Sequence, residues 1–264
     1  MWKPIAVVVP VGLLIAGVVA YSRHMPLLPP PAGPWPETGT FLIFLCEDDS
    51  ARGWERCEGG GAATVEETRG IERALASLPE ITSYGRRTRE EALAIARQDY
   101  RVGELITVDN MPDVAYGGTL ARGDWRALLR ELADLPGVGV VDTHRDNFWW
   151  GKADVSVTLC PEDAAHRFAK RCEGRARATE SEKEAVLDRI RALPGVEKIY
   201  VEDPAHAAKV RDHAEWMMPF GGGDLAELPE AFYLKLADTG TYPQVEKSLA
   251  GMAGVAGVTA VARP

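Results

Sequence analysis

The chain contains four cysteines, which fall into two pairs of nearly equal spacing. Cys46 and Cys57 flank the charged segment EDDSARGWER, and Cys160 and Cys172 flank PEDAAHRFAKR. Cysteine side chains form disulfides, bind zinc or catalyse thiol exchange. Thiol-exchange catalysts carry a C-x-x-C motif, which this sequence lacks. Two chemistries remain, namely a pair of disulfides or a zinc site that uses all four cysteines.

The other residues that could do chemistry do not form a known catalytic motif. His144 lies two residues before Asp146, and His206 and His213 lie seven residues apart on a predicted helix. Either group would bind a metal only if the fold supplied a further ligand. The sequence has neither the G-x-S-x-G motif of serine hydrolases nor the G-x-x-x-x-G-K-[ST] loop of ATP-binding proteins. We therefore predict that the protein is not an enzyme and has no metal, no cofactor and no catalytic residues.

The composition is that of a globular protein, with 46% hydrophobic and 26% charged residues in a chain of 264. This length allows one large domain or two of ordinary size. The net charge of −9 argues against nucleic acid as the main partner, because a phosphate backbone is bound by a basic surface. The same charge argues against electrostatic binding to anionic lipid.

The chain begins with an uncharged apolar segment, PIAVVVPVGLLIAGVVAY, at residues 4–21. As a helix it would be roughly 27 Å long, close to the hydrocarbon thickness of a bilayer. Trp2 and Tyr21 stand at its two ends, where aromatic residues are common in membrane helices. We predict that residues 1–24 form a single transmembrane anchor in the cell membrane, with the folded part extracytoplasmic. The alternative is a signal peptide cleaved after Ala20, which would release a secreted protein.

The rest of the sequence repeats itself at an offset of about 115 residues. Matching segments keep their order over about a hundred residues: Leu45-Cys46 with Leu159-Cys160, Cys57-Glu58-Gly59 with Cys172-Glu173-Gly174, ALASLPEI (74–81) with RIRALPGV (189–196), and Gly137-Val138 with Gly254-Val255. We infer two sister domains, residues 39–147 and 152–264. The cysteine pairs then belong to separate domains, which disfavours a shared zinc site. We predict the disulfides Cys46–Cys57 and Cys160–Cys172, and hence an oxidising environment outside the cytoplasm.

Each repeat reads as a β-α-β unit followed by an inserted segment and a second β-α-β part. The predicted strands are Phe41–Cys46, Ile81–Tyr84, Val114–Leu120 and Val138–Val141, and then Val155–Cys160, Val196–Val201, Ala231–Leu236 and Val255–Val261. Capping boxes at Thr64-x-x-Glu67 and Thr179-x-x-Glu182 open the first helix of each copy. The predicted fold class is α+β, with two tandem split-βαβ, ferredoxin-like domains, each carrying an inserted helical or loop lobe.

Two segments connect the predicted parts of the chain. Residues 25–38, MPLLPPPAGPWPET, are rich in proline and are predicted to form an extended linker after the anchor. Phe148, Trp149 and Trp150 follow the first domain, and we expect them to pack at the junction rather than to bind a ligand.

Several segments of the second copy resemble the extracellular domain of the permease-like cell-division protein FtsX. They are LPGVEKIYVEDPAHAAK (193–209), ELPEAFYLKLAD (227–238) and MAGVAGVTAV (252–261), and the first copy shows a looser version of the same pattern. The resemblance implies a binding role, because the FtsX extracellular domain grips peptidoglycan hydrolases or their coiled-coil activators through an exposed apolar lobe. The chain departs from the whole family protein, since it has one apolar segment instead of four and no ATP-binding loop.

The predicted partner-binding residues lie in the inserted segment of each copy. In the second copy, EWMMPFGGGDL (215–225) brings Trp216, Met217, Met218 and Phe220 together within five positions. Methionine and aromatic side chains suit an adaptable binding surface. These residues could instead close the domain core or contact the sister domain. The matching segment of the first copy has smaller apolar residues, with Tyr100 and Leu105 as the candidates for a weaker contact.

The resemblance therefore implies a membrane-anchored, extracytoplasmic protein-interaction module. Its expected partner is a protein of the cell envelope, such as a peptidoglycan hydrolase or a coiled-coil activator, in envelope remodelling or cell division. The alternative is an extracytoplasmic protein that binds a small ligand or a metal in a pocket between the two domains.

Overall fold

The computed structural model describes residues 25–48, 55–58, 60–96, 115–162, 170–214 and 228–261. These residues form two compact units, and the chain passes from one to the other between Phe148 and Trp149, within the predicted junction. Each unit also takes in a short segment from elsewhere in the chain. Residues 209–214 belong to the first unit, and residues 25–32 belong to the second. We call these units the first and the second domain.

The first domain contains one antiparallel sheet, three α-helices and a short 3-10 helix (Glu55–Cys57) among its described residues. Its elements are β2 (Gly39–Leu45), α1 (Val65–Ser77), β3 (Ile81–Arg87), α2 (Arg89–Ala96), β4 (Ala115–Leu120), α3 (Arg126–Ala133) and β5 (Val138–Arg145). The strand order in the sheet is β3-β4-β2-β5. All three neighbouring pairs are antiparallel. The first and second strands of the domain are thus separated by the third, as in a split βαβ unit.

The second domain repeats this arrangement and adds one strand. Its elements are β1 (Leu27–Leu28), β6 (Val155–Leu159), α4 (Glu180–Arg191), β7 (Val196–Glu202), the beginning of α5 (Pro204–Ala214), β8 (Ala231–Leu236), α6 (Tyr242–Leu249) and β9 (Val255–Ala260). The strand order is β1-β7-β8-β6-β9, which matches that of the first domain apart from β1. The α+β class is confirmed, and both sheets are compatible with ferredoxin-like domains.

The membrane anchor predicted over residues 1–24 lies outside the described residues. Within the part of the chain that the structure describes, no helix combines the length and the apolar character needed to cross a membrane.

Apolar side chains from one face of each sheet pack against the helices. In the second domain the alternating residues Phe232, Leu234 and Leu236 of β8 enter this core, and α4 contributes Val186 and Ile190. A second core of the same design forms in the first domain from Phe41, Ile43, Leu45, Ile71, Leu75, Leu128 and Leu132. The period of two in the strands and of three to four in the helices produces these single apolar faces.

Equivalent local contacts start the first helix of each domain. Thr64 and Thr179 each form a complete capping box with the glutamate three residues later. A glycine before the last strand has a positive φ in both copies, +80° at Gly137 and +81° at Gly254. A Cβ atom at Gly254 would lie 3.0 Å from Cβ of Glu182, so glycine is favoured there by both backbone angle and space.

Both predicted disulfides are confirmed, Cys46–Cys57 and Cys160–Cys172. All four cysteines are buried. The backbone around each bridge is alike in the two domains, because the amides of Cys46 and Cys160 donate to the carbonyls of Gly137 and Gly254. The bridges therefore fix the end of the first strand of each sheet.

Removal of the second bridge by Cys160→Ala with Cys172→Ala is expected to lower the free energy of unfolding of the second domain by about 3 kcal/mol, because the open chain gains loop entropy in the unfolded state. Urea unfolding monitored by hydrogen exchange of the β6 and β8 amides measures this change. The matched control, Cys46→Ala with Cys57→Ala, should destabilise the β2 and β4 amides instead. Equal loss of protection in both sheets from either pair would contradict the expectation.

The linker predicted over residues 25–38 is packed onto the domains for much of its length. Met25 is buried in the core of the second domain, and Leu27–Leu28 pair in parallel with Ile199 and Tyr200 of β7. Arg191 also donates a hydrogen bond to the carbonyl of Met25 at 3.2 Å. The proline content predicts an extended chain, as observed. It does not predict whether Leu27 and Leu28, which lie between prolines, pair with the edge strand of a sheet.

The later part of the same segment packs within the first domain. The ring of Trp35 lies 4.4 Å from that of Phe148, and the hydroxyl of Thr38 donates to the carboxylate of Asp146 at 2.5 Å. Asp146 is buried, so this hydrogen bond offsets part of the cost of removing its charge from water. Residues 33–38 are therefore part of the first domain.

Candidate partner-binding lobe and its base

The predicted binding residues themselves lie outside the described residues. This holds for Trp216, Met217, Met218 and Phe220 in the second copy and for Tyr100 and Leu105 in the first. The structure describes the chain on both sides of residues 215–227, which we call the lobe segment. It leaves α5 after Ala214 and returns at Leu228, before β8. Each end has its own contacts, the outgoing end within the first domain and the returning end within the second.

At the outgoing end, His213 is fixed by three neighbours within the first domain. Its Nε2 lies 2.5 Å from the carbonyl oxygen of Pro36, and its ring lies 5.0 Å from that of Trp35. A carbonyl oxygen can only accept, so Nε2 carries the proton and donates it. The Nη1 of Arg145 lies 3.3 Å from Nδ1 and 3.4 Å from Nε2, so the guanidinium contacts both ring nitrogens. His213 is thus held between a backbone carbonyl, an indole ring and a guanidinium group.

Burial lowers the pKa of His213, and the charge of Arg145 acts in the same direction, against the opposing effect of the Pro36 hydrogen bond. A lowered pKa favours the neutral ring at neutral pH, which avoids repulsion from the charge of Arg145. The last residues of α5 before the lobe segment are therefore held in place.

At the returning end, Glu230 is the centre of a charged cluster in the second domain. Its carboxylate accepts from Arg177 at 3.2 Å and from Lys183 at 2.9 and 2.7 Å. Burial alone would lower the pKa of Lys183, but its hydrogen bonds to Glu230 and Glu180 outweigh this effect, and the pKa is raised. Lys183 therefore stays charged at neutral pH. The backbone carbonyl of Glu230 also accepts from the amide of Leu159.

This charged cluster is specific to the second copy. The residues that align with Arg177 and Lys183 in the first copy are Ala62 and Thr68, which cannot form these ion pairs. The chain at Glu230 is thus held by ion pairs that the aligned residues of the first copy cannot form, a difference that the repeat does not predict. A binding segment whose ends are held in place loses less conformational entropy when it binds a partner.

A third group of side chains holds the beginning of α5 in the second domain. Trp149 is buried and stacks on Tyr233, with ring centroids 3.9 Å apart and an angle of 10°. Its indole N–H donates to Oε1 of Glu202 at 3.0 Å, and Nδ1 of His206 lies 2.6 Å from the same oxygen. Tyr233 alternates along β8 with the core residues, so its side chain lies on the opposite face of the sheet from that core. This cluster covers that opposite face.

The Glu202 cluster was not predicted from the sequence. Phe148, Trp149 and Trp150 were expected to pack at the junction, but their neighbours were not predicted. Trp149 packs in the second domain as described, Phe148 packs on Trp35 in the first, and Trp150 is 45% exposed. The spacing of Glu202 and His206 around the start of a helix, four residues apart, was the available signal for this pair.

Two of the histidines considered as metal ligands, His144 and His206, each pair with a carboxylate. His144 contacts Asp142 at 2.8 Å, while Asp146 accepts the hydroxyl of Thr38. Across the described ranges, no three His, Cys, Asp or Glu side chains are grouped so that they could hold a metal ion. The contacts at each end of the lobe segment serve packing and positioning.

The second domain has an α+β fold that is compatible with a ferredoxin-like module, with the lobe segment inserted before β8. Residues 152–262 match the family described as FtsX extracellular domain, so the resemblance stated from the sequence is confirmed for the second domain. This match includes every element of the second domain from β6 to β9 and leaves out β1. The first domain, which has the same strand order, is not part of the match.

No curated protein sequence matches the chain. Among solved structures, a crystal structure of a candidate chlorite dismutase, TA0507, aligns with a TM-score of 0.27 and 10% sequence identity. The alignment covers 85% of this chain and 90% of the other. A similarity at this level carries no argument about the fold or the function.

Proposed function

We propose that this protein is a membrane-anchored, extracytoplasmic protein-interaction module, and that its partner is a cell-wall hydrolase or a regulator of such an enzyme. The observation that carries the proposal is the family match of the second domain to the FtsX extracellular domain. The two buried disulfides agree with a location outside the cytoplasm, where such bonds persist. The protein acts in envelope remodelling or cell division by binding.

The main contact in this proposal is the lobe segment, through Trp216, Met217, Met218 and Phe220. Large apolar side chains of these types supply most of the binding energy at protein interfaces. The neutral His213 at one end and the Glu230 cluster at the other support the proposal, because both hold the chain where the lobe begins and ends. Tyr100 and Leu105 form the corresponding, weaker contact in the first domain.

The test is capture of envelope proteins by the full chain in detergent, compared with the double variant Trp216→Ala, Phe220→Ala. The full chain is needed because residues 25–38 pack onto the domains, so a fragment that starts at residue 39 would leave Met25 and Leu27 out of the second domain. We expect the wild type to capture a peptidoglycan hydrolase or a coiled-coil activator, identified by mass spectrometry, and the double variant to lose it.

Val65→Ala is the matched control, because Val65 is an apolar residue that is 68% exposed on α1, in the other domain. It should capture the partner as the wild type does. Equal capture by the wild type and the double variant would remove the lobe segment as the contact. Failure of every form to capture a hydrolase or an activator would overturn the proposed function.

A further inference from the structure

The two sheets have equivalent outer edges that differ in what covers them. β7 in the second domain and β3 in the first occupy the same position at the end of each sheet, next to β8 and β4. The outer side of β7 pairs with β1. No strand of the described residues pairs with the outer side of β3. The second domain therefore shows how this edge binds an extended segment, and the first domain presents the same edge uncovered by a strand.

The strand register identifies the equivalent positions. Ile199 pairs with Leu234 in the second sheet as Tyr84 pairs with Gly118 in the first, and both edges carry an irregularity two residues earlier. Leu27 lies opposite Ile199, and Leu28 lies opposite Tyr200. On β3 the same two positions are Tyr84 and Gly85.

The side chains at the first of these two positions also differ in exposure. Ile199 is fully buried, whereas Tyr84 is 41% exposed, although its hydroxyl contacts the backbone of Glu72. A Cβ atom placed on Gly85 would have no atom within 4 Å, so side chains of an added strand have room there. An exposed strand edge of this kind presents backbone groups that can pair with another chain.

The charges beside these positions indicate which segment would fit. Arg86 and Arg87 follow Gly85 on β3. The residues at the same two positions of β7, after Tyr200, are Val201 and Glu202. In a parallel pairing, the residues that follow the apolar pair of the bound segment would lie beside the two arginines. Carboxylates at those positions of the bound segment would be attracted to the two arginines, and basic side chains there would be repelled.

We propose that the outer edge of β3, at Tyr84 and Gly85, binds an extended segment of a partner protein in parallel, with two apolar residues followed by acidic residues. This is strand addition to a sheet edge, in which backbone hydrogen bonds give affinity and alternate side chains give specificity. The site is in the first domain and does not use the lobe segment.

The probe for this test is a labelled synthetic peptide, MPLLEE, which joins residues 25–28 of the chain to two glutamates. Binding to the full chain in detergent is measured by fluorescence anisotropy, and its position by hydrogen exchange. We expect saturable binding, with new protection confined to β3, and a dissociation constant that rises when salt is added, because the arginine–carboxylate attraction is screened.

Tyr84→Asp should weaken peptide binding by about tenfold or more, because it places a negative charge beside the acidic peptide and removes an apolar contact. Val65→Asp is the matched control at an exposed apolar residue away from the edge, and should bind as the wild type does. Circular dichroism checks that both variants fold. The chain with Trp216→Ala and Phe220→Ala should also bind the peptide normally, which separates this site from the proposed function.

Three results would overturn the proposal. The first is the absence of saturable binding to the wild type, and the second is equal binding to Tyr84→Asp. The third is protection that appears at β7 with loss of protection at β1, because the peptide would then replace the chain's own strand. Self-association of the protein without peptide that disappears in Tyr84→Asp would instead identify a second copy of this chain as the occupant, against the partner protein proposed.

Discussion

Gly118→Ala is expected to lower the free energy of unfolding of the first domain by about 3 kcal/mol, because the added methyl group has no space. A Cβ atom at this position would lie 2.1 Å from the carbonyl oxygen of Ser83 and 2.6 Å from the ring of Phe41. Ser83 belongs to the neighbouring strand β3, so relief of the clash would have to move backbone that the sheet holds in place. Urea unfolding followed by hydrogen exchange of the β2 and β4 amides measures the loss.

Gly85→Ala is the control for this substitution. Gly85 lies on the neighbouring strand of the same sheet, but a Cβ atom there would have no neighbour within 4 Å. The alanine should therefore leave the stability unchanged or raise it slightly, because glycine loses more conformational entropy on folding. If both substitutions cost the same, the close approach at Gly118 would not be the cause.

Trp149→Ala is expected to lower the free energy of unfolding of the second domain by about 3–5 kcal/mol, the usual range for truncation of a large buried aromatic. The substitution removes the stack on Tyr233 and leaves a cavity on the open face of the sheet. It also removes the indole N–H that donates to the carboxylate of Glu202, which is buried. Hydrogen exchange of the β7 and β8 amides under urea reports this loss.

Two further variants separate the contributions of Trp149. Trp149→Phe keeps an aromatic ring but removes the indole donor, so its effect should fall between those of the wild type and the alanine variant. Trp150→Ala alters the next residue, which is 45% exposed, and should cost less than Trp149→Ala. A larger loss from Trp150→Ala would contradict the assignment of Trp149 as the buried member of the pair.

The helices and strands of both domains could be predicted from the sequence because their signals are local. Capping boxes at Thr64 and Thr179 and the alternating apolar residues of the strands depend on neighbours a few residues away. The repeat then allowed each copy to support the interpretation of the other. The disulfides followed for the same reason, since each bridge closes a short loop within one copy.

The contacts at the two ends of the lobe segment could not be predicted in this way, because they join distant parts of the chain. The bond from His213 to Pro36 spans 177 residues, and Glu230 meets Lys183 across 47. β1 has only two residues, which is too short for any periodic pattern, and its partner strand is far along the sequence. The proline-rich composition around it therefore indicated a linker rather than a strand.

Packing differences between the copies also required the structure. Phe41 lies opposite Gly118 in the first sheet, where Val155 lies opposite Leu234 in the second. A large residue faces a small one in the first pair, and two medium residues face each other in the second, so both pairs fill their cores. An alignment of the two copies shows that the residues differ at both positions. It does not show the strand register that places the two positions opposite each other.

The burial of Met25 in the second domain has a consequence for the proposed membrane anchor. If residues 4–21 form that anchor, only four steps of chain separate Tyr21 from Met25, a reach of at most about 14 Å when fully extended. The second domain, although it is the later of the two in sequence, would then be tethered within that distance of the bilayer. A partner bound by this domain would be held close to the membrane surface.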